Sequence, residues 1–81
     1  MSKVYNMISK GELYVKDEDS PKAVKIIEGV SHGKIRVEKF HENNRECVWD
    51  EQKIRDEGWD RVTDKFNEEE LERIIKQENK T

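Results

Sequence analysis

The sequence predicts a small α+β domain, in which a three- or four-stranded antiparallel sheet is followed by a short helix and a C-terminal amphipathic helix. Short β-branched runs separated by turn residues fill the first half of the chain, and two helix-start patterns fill the second half. The length of 81 residues allows one domain. We expect its core to span about residues 4–76, with a frayed tail at residues 77–81.

The strands are predicted where apolar side chains alternate with polar ones. Residues 12–16 and 46–49 each read as a short strand, and residues 23–30 and 34–40 flank a Ser-His-Gly turn, which predicts a hairpin. The sheet is either open or a partly open barrel of the SH3 type. Residues 4–8 fit a strand or a short helical turn, and their spacing favours the helical turn.

The first helix is predicted to begin directly after a strand. Asp50 can cap a helical turn, and Trp49 and Ile54 flank it at the spacing of a hydrophobic staple. Gly58 is suited to end this helix. Trp49 is therefore expected to pack at the strand-to-helix junction. Trp59 follows the glycine and is flanked by acids, so both core packing and partial exposure remain open for it.

The C-terminal helix carries the same signature in a fuller form. Asn67 is predicted to cap it, Phe66 and Leu71 form the staple, and Glu70 stands where a capping box requires an acid. The helix is predicted to run to about Lys76. Its buried stripe is predicted to consist of Leu71, Ile74 and Ile75.

Composition excludes several classes of protein. Charged residues make up 43% and apolar residues 32%, which indicates a thin core that dimerisation would help to cover. No apolar run is long enough to span a bilayer, and no apolar signal-peptide core follows Met1, so no membrane association is expected. Cys47 has no partner for an intramolecular disulfide, and a reducing, cytoplasmic location is the expectation.

No residue pattern predicts catalysis, a metal site or a cofactor. His32, His41 and Cys47 lack the paired spacing of a zinc site, and the acids beside Cys47 make it a poor candidate for a nucleophile. Pairs of carboxylates are frequent, but none is singled out for acid–base work. The glycines form no phosphate-binding loop. We therefore expect a non-enzymatic protein.

The distribution of charge points to a basic partner. Residues 1–41 carry eight basic and six acidic side chains, whereas residues 42–81 carry eight basic and thirteen acidic ones. An acidic face beside an exposed tryptophan would bind a basic host protein, such as a nucleoid-associated protein, and could block its nucleic-acid-binding surface. The predicted contacts are Asp50, Glu51, Asp56, Glu57, Trp59, Asp60, Asp64, Glu68, Glu69 and Glu72. Ordinary ion pairing on the helix surfaces is the competing explanation for the same acids.

Two alternatives stay open. In the first alternative, one face of the sheet binds nucleic acid through Lys25, Lys34, Arg36 and Lys39. Glu28 and Glu38 interrupt this basic face. Nucleic-acid binding is the less favoured interpretation, because the second half of the chain is acidic and repels phosphates. The partner of the chain could instead be another copy of itself, as in a homodimer, or a cognate subunit.

Four features of the chain are considered together: its short length, its Lys/Glu/Asn-rich composition, its single cysteine and its acidic C-terminal segment NEEELERIIKQENK. In these features the chain resembles the small acidic proteins encoded by bacteriophages of low-GC Gram-positive bacteria. The resemblance implies a host-takeover or anti-defence protein that binds and inhibits a host protein, in some cases as a DNA mimic. The net charge of −3 is modest for a DNA mimic.

Overall fold

The computed structural model describes residues 8–16 and 19–78. These residues form a five-stranded antiparallel sheet and two α-helices. In chain order the elements are β1 (Leu13–Lys16), β2 (Lys22–Ser31), β3 (Lys34–Lys39), a 3-10 turn (Phe40–Glu42), β4 (Arg45–Asp50), α1 (Glu51–Asp56), β5 (Asp60–Arg61) and α2 (Glu68–Glu78). Across the sheet the order is β4-β3-β2-β1-β5. The predicted fold class is confirmed. The two-residue strand β5 was not predicted, and the proposed N-terminal helical turn lies outside the described residues apart from Ile8.

The predicted hairpin is formed by β2 and β3. Ser31 pairs with Lys34 across a two-residue turn, and both turn residues, His32 and Gly33, have positive φ angles of 53° and 75°. Positive φ at both positions is the geometry of a type I′ turn, whose twist matches that of antiparallel strands. The Gly33 carbonyl also accepts a hydrogen bond from the Glu51 backbone at 2.9 Å, which ties the hairpin to the start of α1.

Both faces of the sheet are covered by apolar residues. Neighbouring residues of a strand point to opposite faces, so Tyr14 and Val24 lie on one face while Leu13 and Ala23 lie on the other. The first face, here called the inner face, carries Tyr14, Val24, Ile26, Ile35 and Val37 and is covered by Ile54 and Trp59. The outer face carries Leu13 and Ala23 and is covered by Phe40, Val62, Leu71 and Ile75. The helix α1 therefore packs on the inner face and α2 on the outer face.

The sheet is strongly curved around its inner face. Trp49 lies on β4 at one edge, and Trp59 directly precedes β5 at the other edge, yet their ring centroids are 5.4 Å apart. Four strand spacings in a flat sheet would separate these edges by roughly 19 Å. Within the described residues β4 and β5 do not pair with each other, so the curved sheet remains open.

The end of α1 explains why Trp59 is buried. Gly58 has a φ angle of 75°, and the Trp59 N–H donates to the Ile54 carbonyl at 3.2 Å. This is the Schellman arrangement, which brings the residue after the glycine back onto the last helical turn. Ile54 and Trp59 accordingly share the inner-face cluster. The prediction that Gly58 ends the helix is confirmed.

The start of α1 differs from the prediction. Asp50 is the residue before the helix, but its side chain makes no capping hydrogen bond. Its carboxylate accepts instead from the Lys34 ammonium at 2.6 Å. Because Lys34 and Asp50 face each other across β3 and β4, the strand pairing draws the carboxylate away from the helix.

The start of α2 matches the predicted capping box. The Glu70 N–H donates to Asn67 Oδ1 at 2.8 Å, and the Asn67 N–H donates to Glu70 Oε1 at 3.2 Å. The helix continues to Glu78, two residues beyond the predicted end. One predicted core residue is wrong: Ile74 is 39% exposed, because Leu71 and Ile75 already cover the width of the outer face that α2 contacts.

Candidate functional site

Three of the predicted acidic contacts meet at one shallow cavity beside β4 and α1. Asp50, Asp56 and Glu57 line it together with Val48, Trp49, Gln52 and Lys53, and its volume is about 470 Å³. Val48 is 57% exposed, the most exposed of the large apolar residues described. We call the residues Val48, Asp50, Gln52 and Asp56 the β4–α1 surface. It combines an exposed apolar side chain with two carboxylates.

Ion pairs neutralise much of the acidity around α1. Glu51 accepts from Arg55 at 2.9 Å, and Asp50 accepts from Lys34. Glu57 accepts from Lys53 at 2.8 Å, which holds the pKa of Glu57 below its ordinary value. The competing explanation of helix-surface ion pairing therefore accounts for Glu51 and Glu57. Asp56 is contacted by the Gln52 amide at 3.4 Å.

Trp59 does not supply the exposed aromatic anchor that the sequence hypothesis required. It is 8% exposed, because the Schellman turn after α1 directs it into the inner-face cluster. Its indole N–H donates to Glu57 Oε1 at 3.3 Å. The burial of Trp59 leaves Val48 as the exposed apolar residue beside the carboxylates.

The remaining predicted acids lie elsewhere. Asp60 is on β5 opposite Val15, and Asp64 follows it with its carboxylate 3.4 Å from Arg61. Glu68, Glu69 and Glu72 belong to α2, which covers the outer face, whereas α1 covers the inner face. Glu68 pairs with Lys25 at 2.7 Å and Glu72 with Lys76 at 2.8 Å. The acidic residues of α1 and α2 therefore do not share one face, because the sheet lies between the two helices.

The alternative basic face is formed only in part. Lys25, Lys34 and Arg36 point to the outer face, but Lys39 is in register with Val24 and points to the inner face. Each of the four basic residues also has a carboxylate nearby. The pairs are Lys25–Glu68 at 2.7 Å, Lys34–Asp50 at 2.6 Å, Arg36–Glu28 at 3.8 Å and Lys39–Glu42 at 3.0 Å.

A second cavity brings together residues that the sequence did not connect. Four lysines line it: Lys16 ends β1, Lys22 begins β2, Lys39 ends β3 and Lys53 is on α1. His41, Trp49 and Trp59 complete its wall, with Glu42 and Glu57 as its two acids. Its volume is about 190 Å³. We call this cavity the basic groove. No spacing in the sequence signals it, because four separate elements contribute the lysines.

His41 is held against the strand β2. Its Nδ1 lies 3.3 Å from the Ala23 backbone nitrogen and 3.2 Å from the Ala23 carbonyl oxygen, and the tautomer decides which of these contacts is the hydrogen bond. Its Nε2 lies 3.6 Å from Glu42. Burial lowers the pKa of His41 and outweighs the hydrogen bond to Ala23 and the attraction of Glu42. The lowered pKa therefore favours the neutral imidazole at pH 7.

Neither metal ligation nor membrane spanning is indicated in the part of the chain that the structure describes. There, no group of three or more His, Cys, Asp or Glu side chains is arranged to hold a metal ion. Cys47 packs against the inner-face cluster and is partly buried. Neither α1 nor α2 has the length and apolar character that would let it cross a bilayer.

Comparisons of the chain with protein-family models, curated proteins and solved structures find no match. The function is therefore argued from the geometry of the two cavities.

Proposed function

We propose that the chain is a non-catalytic binding domain that docks on a basic partner protein through the β4–α1 surface. The observation that supports this function is the exposure of Val48, which is 57% exposed and lines one shallow cavity together with Asp50 and Asp56. An apolar residue inside a charged rim is the usual composition of a protein-binding site.

The ion pair at this surface leaves its acid accessible to a partner. Asp50 and Lys34 are both more than half exposed, and exposed pairs of this kind contribute only about 0–1 kcal/mol. A partner's lysine or arginine can therefore replace Lys34 at little cost in free energy. Such exchange favours fast, salt-sensitive association with a positively charged surface.

The chemistry of the partner follows from this charge. A protein with a basic nucleic-acid-binding surface would present cations to Asp50 and Asp56 and an apolar contact to Val48. Occupying that surface would keep nucleic acid away from it. In this proposal the chain acts as an inhibitor, which agrees with the resemblance to small phage-encoded host-takeover proteins.

The first experiment is a pull-down from a Gram-positive bacterial lysate treated with nuclease, with three forms of the chain as bait. The forms are the unchanged chain, the double variant Asp50→Lys/Asp56→Lys, and the matched control Asp64→Lys/Glu78→Lys, which changes the net charge equally at other surfaces. We expect basic proteins to be retained by the unchanged chain and the control, to be released by salt, and to be lost from the double variant.

Retention of the same proteins by all three baits would contradict the proposal. Loss from both variants alike would show that net charge, not the β4–α1 surface, governs binding. A thermal melt of each variant establishes that it is folded. The variant Val48→Ser, which leaves the charge unchanged, should weaken the same interaction by about 1 kcal/mol or more if Val48 is the apolar anchor.

A further inference from the structure

The basic groove concentrates positive charge in an otherwise acidic protein. Four lysines and two glutamates line it, which gives a local charge of +2 with His41 neutral. The whole chain has a net charge of −3. Clustered ammonium groups repel one another, and a cleft with low-dielectric walls strengthens the potential inside it. The two glutamates offset only half of the positive charge.

Several groups of the groove are held by contacts with their neighbours. The side chain of Lys39 is 15% exposed and that of His41 is 9% exposed. Lys53 lies 5.0 Å from the centroid of the Trp49 ring and donates to Glu57. Glu57 in turn contacts Lys16 at 3.6 Å. These contacts orient the ammonium groups before any ligand arrives, which lowers the entropy cost of binding.

The size of the groove limits its ligand. Sites for drug-sized molecules are typically about 300–1,000 Å³. At about 190 Å³, the groove is suited to a compact anion or to the charged end of a larger molecule. A phosphoryl group fits this description because it carries up to two negative charges and offers several acceptor oxygens to ammonium donors.

We propose that the basic groove binds a phosphoryl group, supplied either by inorganic phosphate or by the end of a small phosphomonoester. Lys16, Lys22, Lys39 and Lys53 provide the positive charge. The organic part of a phosphomonoester would extend out of the groove into solvent. The site does not depend on Asp50 or Asp56, so it can be tested separately from the proposed docking surface.

The tryptophans provide the readout, since both line the groove. The full chain is titrated with inorganic phosphate, with glycerol 3-phosphate and with acetate at constant ionic strength, while tryptophan fluorescence is recorded. We expect a saturable change with both phosphate ligands below roughly 10 mM, the range of weak specific binding, and none with acetate. Equal affinities for the two phosphate ligands would mean that the phosphoryl group alone is recognised. Tighter binding of the ester would mean that its organic part also contacts the protein.

Variants then test the location of the site. Lys22→Gln/Lys39→Gln should weaken phosphate binding by about tenfold or more, because two charge-assisted contacts are lost. The matched control Lys34→Gln/Lys65→Gln removes the same charge outside the groove and should bind like the unchanged chain. Because Lys39 is mostly buried, its replacement could weaken phosphate binding simply by unfolding the protein. The variant Glu42→Gln avoids this ambiguity, because misfolding would not tighten binding. Removing this acid should tighten phosphate binding, because the groove then carries a charge of +3.

Four results would overturn the proposal. The first is the absence of any phosphate-specific fluorescence change in the folded chain. The second is an equal response to acetate, which would show no preference for the phosphoryl group. The third is an equal loss of affinity in the Lys34→Gln/Lys65→Gln control, and the fourth is unchanged affinity in Glu42→Gln. Either of these last two results would place phosphate outside the basic groove.

Discussion

His41 is a residue whose pKa depends on its place in the fold. Burial lowers its pKa, so the folded chain binds a proton at His41 less readily than the unfolded chain does. The stability linked to His41 is therefore fully present above the ordinary histidine pKa of 6.5 and is lost as pH falls through the lower pKa of the folded state. Glu42, Lys22 and Lys39 surround the imidazole and modulate this pKa.

We expect the free energy of unfolding to fall as the pH drops below the ordinary histidine pKa of 6.5, and we expect His41→Asn to flatten this dependence. The asparagine amide can still contact the Ala23 backbone but does not titrate. Urea unfolding at several pH values measures the slope. The glutamates whose pKa values lie below 4.5, such as Glu12 and Glu57, affect stability only at lower pH. An equal slope in the variant would assign the pH dependence to another group.

The carboxylate of Glu12 connects the segment before β1, the strand β1 and the strand β5. Its carboxylate accepts from the Ser9 backbone at 3.0 Å, from the Tyr14 hydroxyl at 2.9 Å and from Arg61 Nε at 3.0 Å. Burial raises the pKa of Glu12, but these hydrogen bonds outweigh it and keep the pKa below its ordinary value. Burial and the bond to Glu12 raise the pKa of Tyr14 to about 12. Glu12 therefore remains charged and connects β1 to β5.

At the scale of single elements, the two helices begin differently although their sequences look alike. Both have a polar residue between an apolar residue and a helical segment. Asn67 completes a reciprocal capping box with Glu70, whereas Asp50 lies at the end of β4 and its carboxylate pairs with Lys34 across the sheet. A cap can form only where its side chain has no stronger partner nearby.

This difference predicts unequal effects of alanine. Asn67→Ala should lower the free energy of unfolding by about 1 kcal/mol, because an orphan N–H of α2 loses its acceptor. Asp50→Ala should change it by less than roughly 0.5 kcal/mol, because it removes only an exposed ion pair. Urea denaturation of both variants provides the measurement. Equal losses would mean that Asp50 supports α1 in solution after all.

At the scale of the whole molecule, the core is formed by apolar residues that cover both faces of a single sheet. A chain with 32% apolar residues cannot build a thick core, but α1 and Trp59 cover the inner face and α2 covers the outer face. Phe40, on the 3-10 turn, and Leu71 are among the most deeply buried side chains. Asn44 reinforces this packing, since its amide donates to Glu38 and its carbonyl accepts from Lys76 of α2.

The packing of α2 is tested by two neighbouring positions on that helix. Leu71→Ala should cost roughly 2–5 kcal/mol, because it opens a cavity against the outer face. Ile74→Ala should cost less than about 1 kcal/mol, because that side chain is largely exposed. Thermal or urea unfolding distinguishes the two. A large loss for Ile74→Ala would indicate that another surface covers it in solution, as in a homodimer.

Local patterns in the sequence were sufficient for the hairpin at Ser31–Lys34, for the capping box at Asn67 and for the helix end at Gly58. Each depends on residues within about six positions of one another, so propensity and turn chemistry determine it. Similar reasoning missed β5, because two residues carry no alternating pattern. It also wrongly predicted that Ile74 is buried, because the sequence of α2 does not show how wide a part of the sheet the helix contacts.

The sequence by itself therefore determined the α+β class, the hairpin, the end of α1 and the start of α2, since these depend on neighbours along the chain. Only the tertiary structure decided where the charges lie. The sheet separates the acids of α1 from those of α2, while its strand register and curvature gather Lys16, Lys22, Lys39 and Lys53 around two tryptophans. The position of each charge depends on which residues, far apart in the sequence, lie on the same face of the fold. The order of residues along the chain does not contain these distances in space.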